Sequence, residues 1–202
     1  MDRTATADRR LDTEKDTGPS ERQASHRTCT IPALEILAEI ERWPESFARL
    51  EDVFRVFDQA RESFSTFKSC TECSKGTLCI ADFCILIQYL VETLENCCRH
   101  IQTNDASVDF GSVSWGDHEL EEAEQRLLVT TLLQQRSLEI RCAVALIQKR
   151  LVESLATEED DLWSSMRPTF NVVLDSHHTR VQHLSSIFSA LAGEGEHGAA
   201  DV

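Results

Sequence analysis

The chain has 202 residues, 41% of them hydrophobic, with only 7 Gly and 4 Pro; this excludes a wholly disordered chain and disfavours a turn-rich sheet protein. Six basic and six acidic groups cancel within residues 1–28, so of the chain's 20 basic and 35 acidic groups, residues 29–202 hold 14 and 29. A surface that acidic repels phosphate, so direct binding to DNA, RNA or an anionic membrane is not expected.

Residues 1–28 mix charge with Ser, Thr, Gly and Pro, and Leu11 is their one large aliphatic besides Met1. They read as a disordered tail without the apolar core of a signal peptide. The helical region is placed at residues 29–192, and a disordered end at 193–202, where Gly193, Gly195 and Gly198 fall close together.

Periodicity begins near Pro32, with Leu34, Ile36, Leu37 and Ile40 on one face. Pro44 suits a first helical position, because its missing N–H costs nothing there. Phe47, Leu50, Val53, Phe54, Phe57, Ala60, Phe64 and Phe67 then recur at steps of three and four, the stripe of a long helix. Cys70 to Gly76 is a break. From Leu78 to Cys98 apolar residues occupy most faces, as in a helix at the centre of a bundle or under a partner. Asp82, Gln88 and Glu92 interrupt its most apolar part, so no transmembrane span is expected.

Residues 103–117 read as a linker, with Val108, Phe110, Val113 and Trp115 suggesting a short extended segment. The longest helical pattern runs from His118 to about Leu155, capped by Asp117, with an apolar face of Leu127, Leu128, Thr131, Leu132, Leu138, Cys142, Ala145 and Leu146. Thr157 and Asp160 resemble a capping box for the last helix, which Pro168 kinks or restarts. The expected fold class is therefore all-α, a bundle of about five helices.

The chemistry-bearing candidates are few. Eight cysteines in a chain without a signal peptide are expected as thiols. Cys70, Cys73 and Cys79 are the ones whose spacing leaves metal or redox chemistry open. Cys84, Cys97 and Cys98 lie inside an apolar helical run and read as packing residues. A binuclear zinc cluster needs two Cys-x2-Cys halves amid many basic residues, but Cys70 to Cys98 contains one half and one basic residue, Lys75. His177, His178 and His183 lack the spacing of three or four that would let a helix present them to one ion. No phosphate loop, nucleophile elbow or zincin motif occurs. The expectation is no catalytic residue, no cofactor and no bound metal.

Two stretches carry a family resemblance. One is Cys70-Thr71-Glu72-Cys73 followed by the apolar run to Leu94. The other is the entry Gly116-Asp117-His118-Glu119-Leu120-Glu121-Glu122-Ala123-Glu124 to a long helix with Arg126, Arg136, Arg141 and Arg150 spaced along it. Their order resembles the C-terminal regulatory domain of the aflatoxin regulatory protein family, over about residues 31–191. These are fungal transcription factors that switch on gene clusters for polyketides and related secondary metabolites. The family carries a zinc-cluster DNA-binding domain ahead of this region, whereas residues 1–28 contain no Cys, so no DNA-contacting or zinc residue carries over.

The resemblance implies a nuclear transcriptional regulator or co-regulator of a secondary-metabolite cluster. It would act through protein contacts, by self-association or by pairing with a DNA-binding regulator. Leu86 and Leu90 on the apolar helix, and Leu128 and Leu132 on the long one, are the expected partner-binding residues, since both helices hold more apolar positions than one stripe needs. The alternatives are a helical interaction module outside transcription, or a small ligand-binding protein or enzyme with a pocket converging on Cys70, Cys73 and His100.

Overall fold

The computed structural model describes residues 20–43, 49–71, 73, 77–103, 114–115, 118–153 and 161–198. Among them are five helices: α1 (Ser20–Ile40), α2 (Leu50–Ser69), α3 (Thr77–Thr103), α4 (Glu122–Glu153) and α5 (Asp161–Gly198). The fold is all-α. Two extended pairs, β1 (Ser114–Trp115) and β2 (His118–Glu119), meet antiparallel between α3 and α4, with Trp115 opposite His118.

The apolar pattern explains which helix sits where. Helix α3 packs on α1, α4 and α5, and is the centre of the bundle. Ile80, Phe83, Leu86, Ile87, Leu90, Val91 and Leu94 are all buried, and together they cover more than one face. Each such side chain contributes roughly 1.5–3 kcal/mol through apolar area removed from water. Helix α2 buries Val53, Phe57, Ala60, Phe64 and Phe67 at steps of three and four as its periodicity predicts, and Val56 beside them, while Phe54 is half-buried. Phe67 and Phe64 meet Phe83 of α3, with ring centroids 4.4 and 5.3 Å apart in tilted geometry. The largest helix–helix interface is that of α4 with α5.

Several boundaries differ from the sequence reading. Helix α1 begins at Ser20 and runs through Pro32, so residues 20–28 belong to it and not to a tail. Residues 1–19 and 44–48, which include Pro44 and Phe47, lie outside the described residues. Helix α4 starts at Glu122 rather than His118, which is engaged in the β pair. The Asp117 cap and the Thr157–Asp160 capping box also lie outside the described residues. At the entry to α4 the Glu121 N–H donates to Glu124 Oε2 at 2.9 Å, the carboxylate half of a capping box. Helix α5 is continuous through Pro168 and continues past Gly193 to Gly198.

Helix α4 departs furthest from its sequence pattern. Its buried row is Val129, Leu133, Arg136, Ile140, Ala143, Val144, Ile147 and Leu151. The row read from the sequence is the other face: Leu138, Cys142 and Ala145 are exposed, and Leu128, Leu132 and Leu146 are half-buried. Helix α4 is apolar on two faces. The buried face mixes its aliphatics with Thr130, Arg136 and Ser137, so the two faces are close in hydrophobicity and periodicity alone does not choose between them.

Candidate functional site

Helices α2 and α4 are tied at two levels, leaving a groove between. At one end Arg136 Nη2 lies 2.9 Å from Asp58 Oδ1, and Arg61 Nη1 lies 3.7 Å from Glu139. At the other, Arg150 Nη2 donates to the Lys68 carbonyl at 2.7 Å. Contacts rising in step along both chains mean that the helices run in the same direction. The groove has a volume of about 640 Å3. Phe57, Ala60 and Phe64 form one wall, Leu138, Cys142 and Leu146 the other, and Leu90 of α3 the floor. Its α4 wall spans Gln135 to Lys149, about 21 Å at ~1.5 Å per residue.

The rim charge is opposite in sign to that of the whole chain. Arg61, Lys68 and Lys149 border the groove against a single carboxylate, Glu139, while the chain as a whole carries −15. Lys68 and Lys149 are exposed, with Lys149 Nζ 3.7 Å from Glu153 and Arg61 Nη2 3.1 Å from Asp58. The groove therefore offers an apolar trough with a locally cationic edge.

The four expected partner-binding residues do not share one surface. Leu86 and Leu90 are 0% and 1% exposed. Both are core residues, because the surplus apolar positions of α3 are used against three neighbouring helices; only Leu90 reaches the groove, as its floor. Leu128 and Leu132 are half-buried on α4, outside the groove lining. Leu138, Cys142, Ala145 and Leu146, part of the helical pattern read from the sequence, are the apolar residues that α4 presents along the groove with Ile140 and Ala143 beneath them.

The cysteines divide as well. All eight are thiols, without a disulfide. Cys84, Cys97 and Cys98 are buried in the core, as expected of packing residues. Cys70 and Cys73, between α2 and α3, converge instead on Cys29 of α1, and the three Sγ atoms lie within 4.8 Å of one another. Cys79, in the first turn of α3, is buried and interacts with Cys73. The Cys73 N–H donates to Cys70 Sγ at 3.4 Å. His100 is not part of this group: it lies in the last turn of α3, about 30 Å along the helix from Cys79. Burial is the main cause that pushes the Cys29 and Cys73 thiols up to about 12. Such thiols stay protonated near neutral pH and are poor nucleophiles.

Cys29 was not singled out from the sequence. A signal for it exists: Cys29, Ala33, Ile36, Leu37 and Ile40 continue one helical stripe, and the first four are buried.

Helix α5 contributes Arg180 and His177 against α3. His177 is buried, and its Nε2 has no hydrogen-bond partner among the described residues. Burial, reinforced by the neighbouring Arg180 charge, lowers its pKa from the usual histidine value. His177 therefore behaves as a neutral core residue. His178 and His183 do not join it in a metal-ligating group; among the described residues that group is Cys29, Cys70 and Cys73 alone.

No family model, curated protein or solved structure matches this chain. The functional reading therefore rests on the residues themselves. Among the described residues, no helix is long and apolar enough to cross a membrane.

Proposed function

We propose that this chain is a non-catalytic helical regulatory domain that acts through protein contacts in the nucleus, as a transcriptional regulator or co-regulator of a fungal secondary-metabolite gene cluster. The observation that carries the protein-contact part is the second apolar face of α4, open to solvent along the groove against α2. Contiguous exposed apolar surface beside polar rims marks interaction sites. The transcriptional part rests on the resemblance of the Cys70–Leu94 and Gly116–Glu124 stretches to the aflatoxin regulatory domain.

The occupant is an amphipathic helix with an acidic flank, presented by a DNA-binding regulator. Three features support that choice. The α4 wall has the length of a helix of about 14 residues. Lys68 and Lys149 border it and suit carboxylates. The acidic balance of residues 29–202 disfavours direct contact with DNA, so a DNA-bound partner must bring the domain to its promoter.

Deleting the gene and profiling transcripts tests this reading. Expression of a contiguous biosynthetic cluster should change, and be restored by the wild-type chain. Unchanged expression, or a small apolar molecule retained in the groove of the purified protein, would contradict it.

A further inference from the structure

We propose that Cys29, Cys70 and Cys73, with Cys79 as fourth ligand, form a structural zinc site that fastens α1 to the connection between α2 and α3. This is independent of the groove and its occupant.

The geometry favours an ion over a thiol pair. Three Sγ atoms from two separate segments lie within 4.8 Å of one another. Four sulfurs around zinc, at Zn–S distances of ~2.3 Å, are about 3.8 Å apart along each tetrahedral edge. A disulfide instead joins two sulfurs at about 2.05 Å and leaves the third without a role. Cys79 is buried at the start of α3 and interacts electrostatically with Cys29, Cys70 and Cys73; its Sγ lies outside the 4.8 Å group, and its side chain would move towards the ion to complete a four-thiolate set. Cys70-x2-Cys73 has the spacing of a zinc knuckle, and the Cys73 N–H already points at Cys70 Sγ. Such N–H···S bonds orient a ligating thiolate and stabilise its charge. Cys70 is half-buried while Cys29, Cys73 and Cys79 are buried, which gives the ion a path in and a dry seat.

Softness selects the ion. Thiolates prefer zinc, cuprous copper or iron–sulfur centres to magnesium or calcium, and zinc is the redox-silent member suited to a closed tetrahedral site. Binding would release the thiol protons to solvent and join residues distant in sequence into one unit.

The test uses the full chain, purified without chelator under reducing conditions. Elemental analysis should find about one zinc per chain. After its removal, titration with Co2+ should give the intense visible bands of tetrahedral cobalt thiolate, saturating at one equivalent. Cys79→Ser should keep uptake but lower the sulfur-to-cobalt charge-transfer intensity by about a quarter, one thiolate of four. Cys29→Ala should lose tight uptake. Should Cys29→Ala fail to fold, the wild-type cobalt spectrum still decides. Absence of stoichiometric uptake, iron in place of zinc, a Cys70–Cys73 disulfide in the native protein, or full uptake by folded Cys29→Ala would each overturn the proposal.

Discussion

Arg180 of α5 grips Glu95 of α3 with two parallel hydrogen bonds, Nε to Oε1 and Nη2 to Oε2, each 2.7 Å. The same guanidinium reaches Gln88 at 3.3 Å and stands 3.5 Å from His177 Nδ1. This bidentate pair is the polar lock between the central helix and the last one. Its side chains are about one-third exposed, so solvent screens part of its strength.

Glu95→Gln should cost about 1 kcal/mol, more than an exposed ion pair and less than a buried one. Arg180→Ala should cost more than Glu95→Gln, because it leaves Glu95 facing buried His177 without its donor. Urea denaturation of both single variants and the double variant gives the coupling. A coupling near zero would mean that the lock is ornamental.

Acid should weaken the fold in two stages. His177 has a lowered folded pKa, through burial first and then the Arg180 charge. Below about pH 6.5 the unfolded state binds the proton that the folded state refuses, so stability falls as pH drops from there towards the folded pKa. Glu95 is held below the usual carboxylate range, chiefly by the hydrogen bonds from Arg180. Its contribution is fully present above the usual glutamate value of 4.5 and is lost as pH falls through its folded pKa. His177→Leu should remove the first stage and keep the second. At the alkaline end, Cys84 and Cys97 are raised to about 12 by burial, so stability should fall as pH rises above 9. Urea midpoints measured across pH would check all three limbs.

The buried and the half-buried leucines should separate cleanly. Leu86→Ala removes a fully buried side chain and should cost about 2–5 kcal/mol. Leu128→Ala and Leu132→Ala act on half-buried positions of α4 and should each cost about 1 kcal/mol, near the centre of the range for point variants. Equal losses at the three sites, by thermal denaturation, would mean that α4 is turned about its axis relative to this structure.

Those leucines also show how far the sequence could be read. The all-α class and the stripes of α2 and α3 were legible, because Val53, Phe57, Ala60, Phe64 and Phe67 keep one helical phase and α3 is apolar nearly all round. The phase of α4 was not, since Leu128, Leu132 and Leu138 lie on a second apolar face that rivals the buried row, which Thr130, Arg136 and Ser137 interrupt. Arg136 is buried because Asp58 and Glu139 neutralise it, a tertiary fact that periodicity does not carry. The thiol group was half legible: Cys70, Cys73 and Cys79 stand close in sequence, whereas Cys29 joins them only when α1 folds back.

The purified chain should not select a DNA sequence. Its 14 basic groups against 29 acidic ones in residues 29–202 allow only weak, non-specific contact, abolished by about 0.2 M salt. Sequence-selective retardation that persists in that salt would contradict the charge argument.

A tethered reporter tests the proposed working surface, the groove between α2 and α4, most directly. The full chain, fused to a heterologous DNA-binding module, should change reporter output when expressed in a fungal host. Leu138→Glu, at a position 40% exposed on the groove wall, should abolish that change while shifting stability by no more than about 0.5 kcal/mol. Lys68→Glu with Lys149→Glu should weaken it through the rim alone. Wild-type output with Leu138→Glu, at equal nuclear abundance and unchanged helicity, would contradict the account.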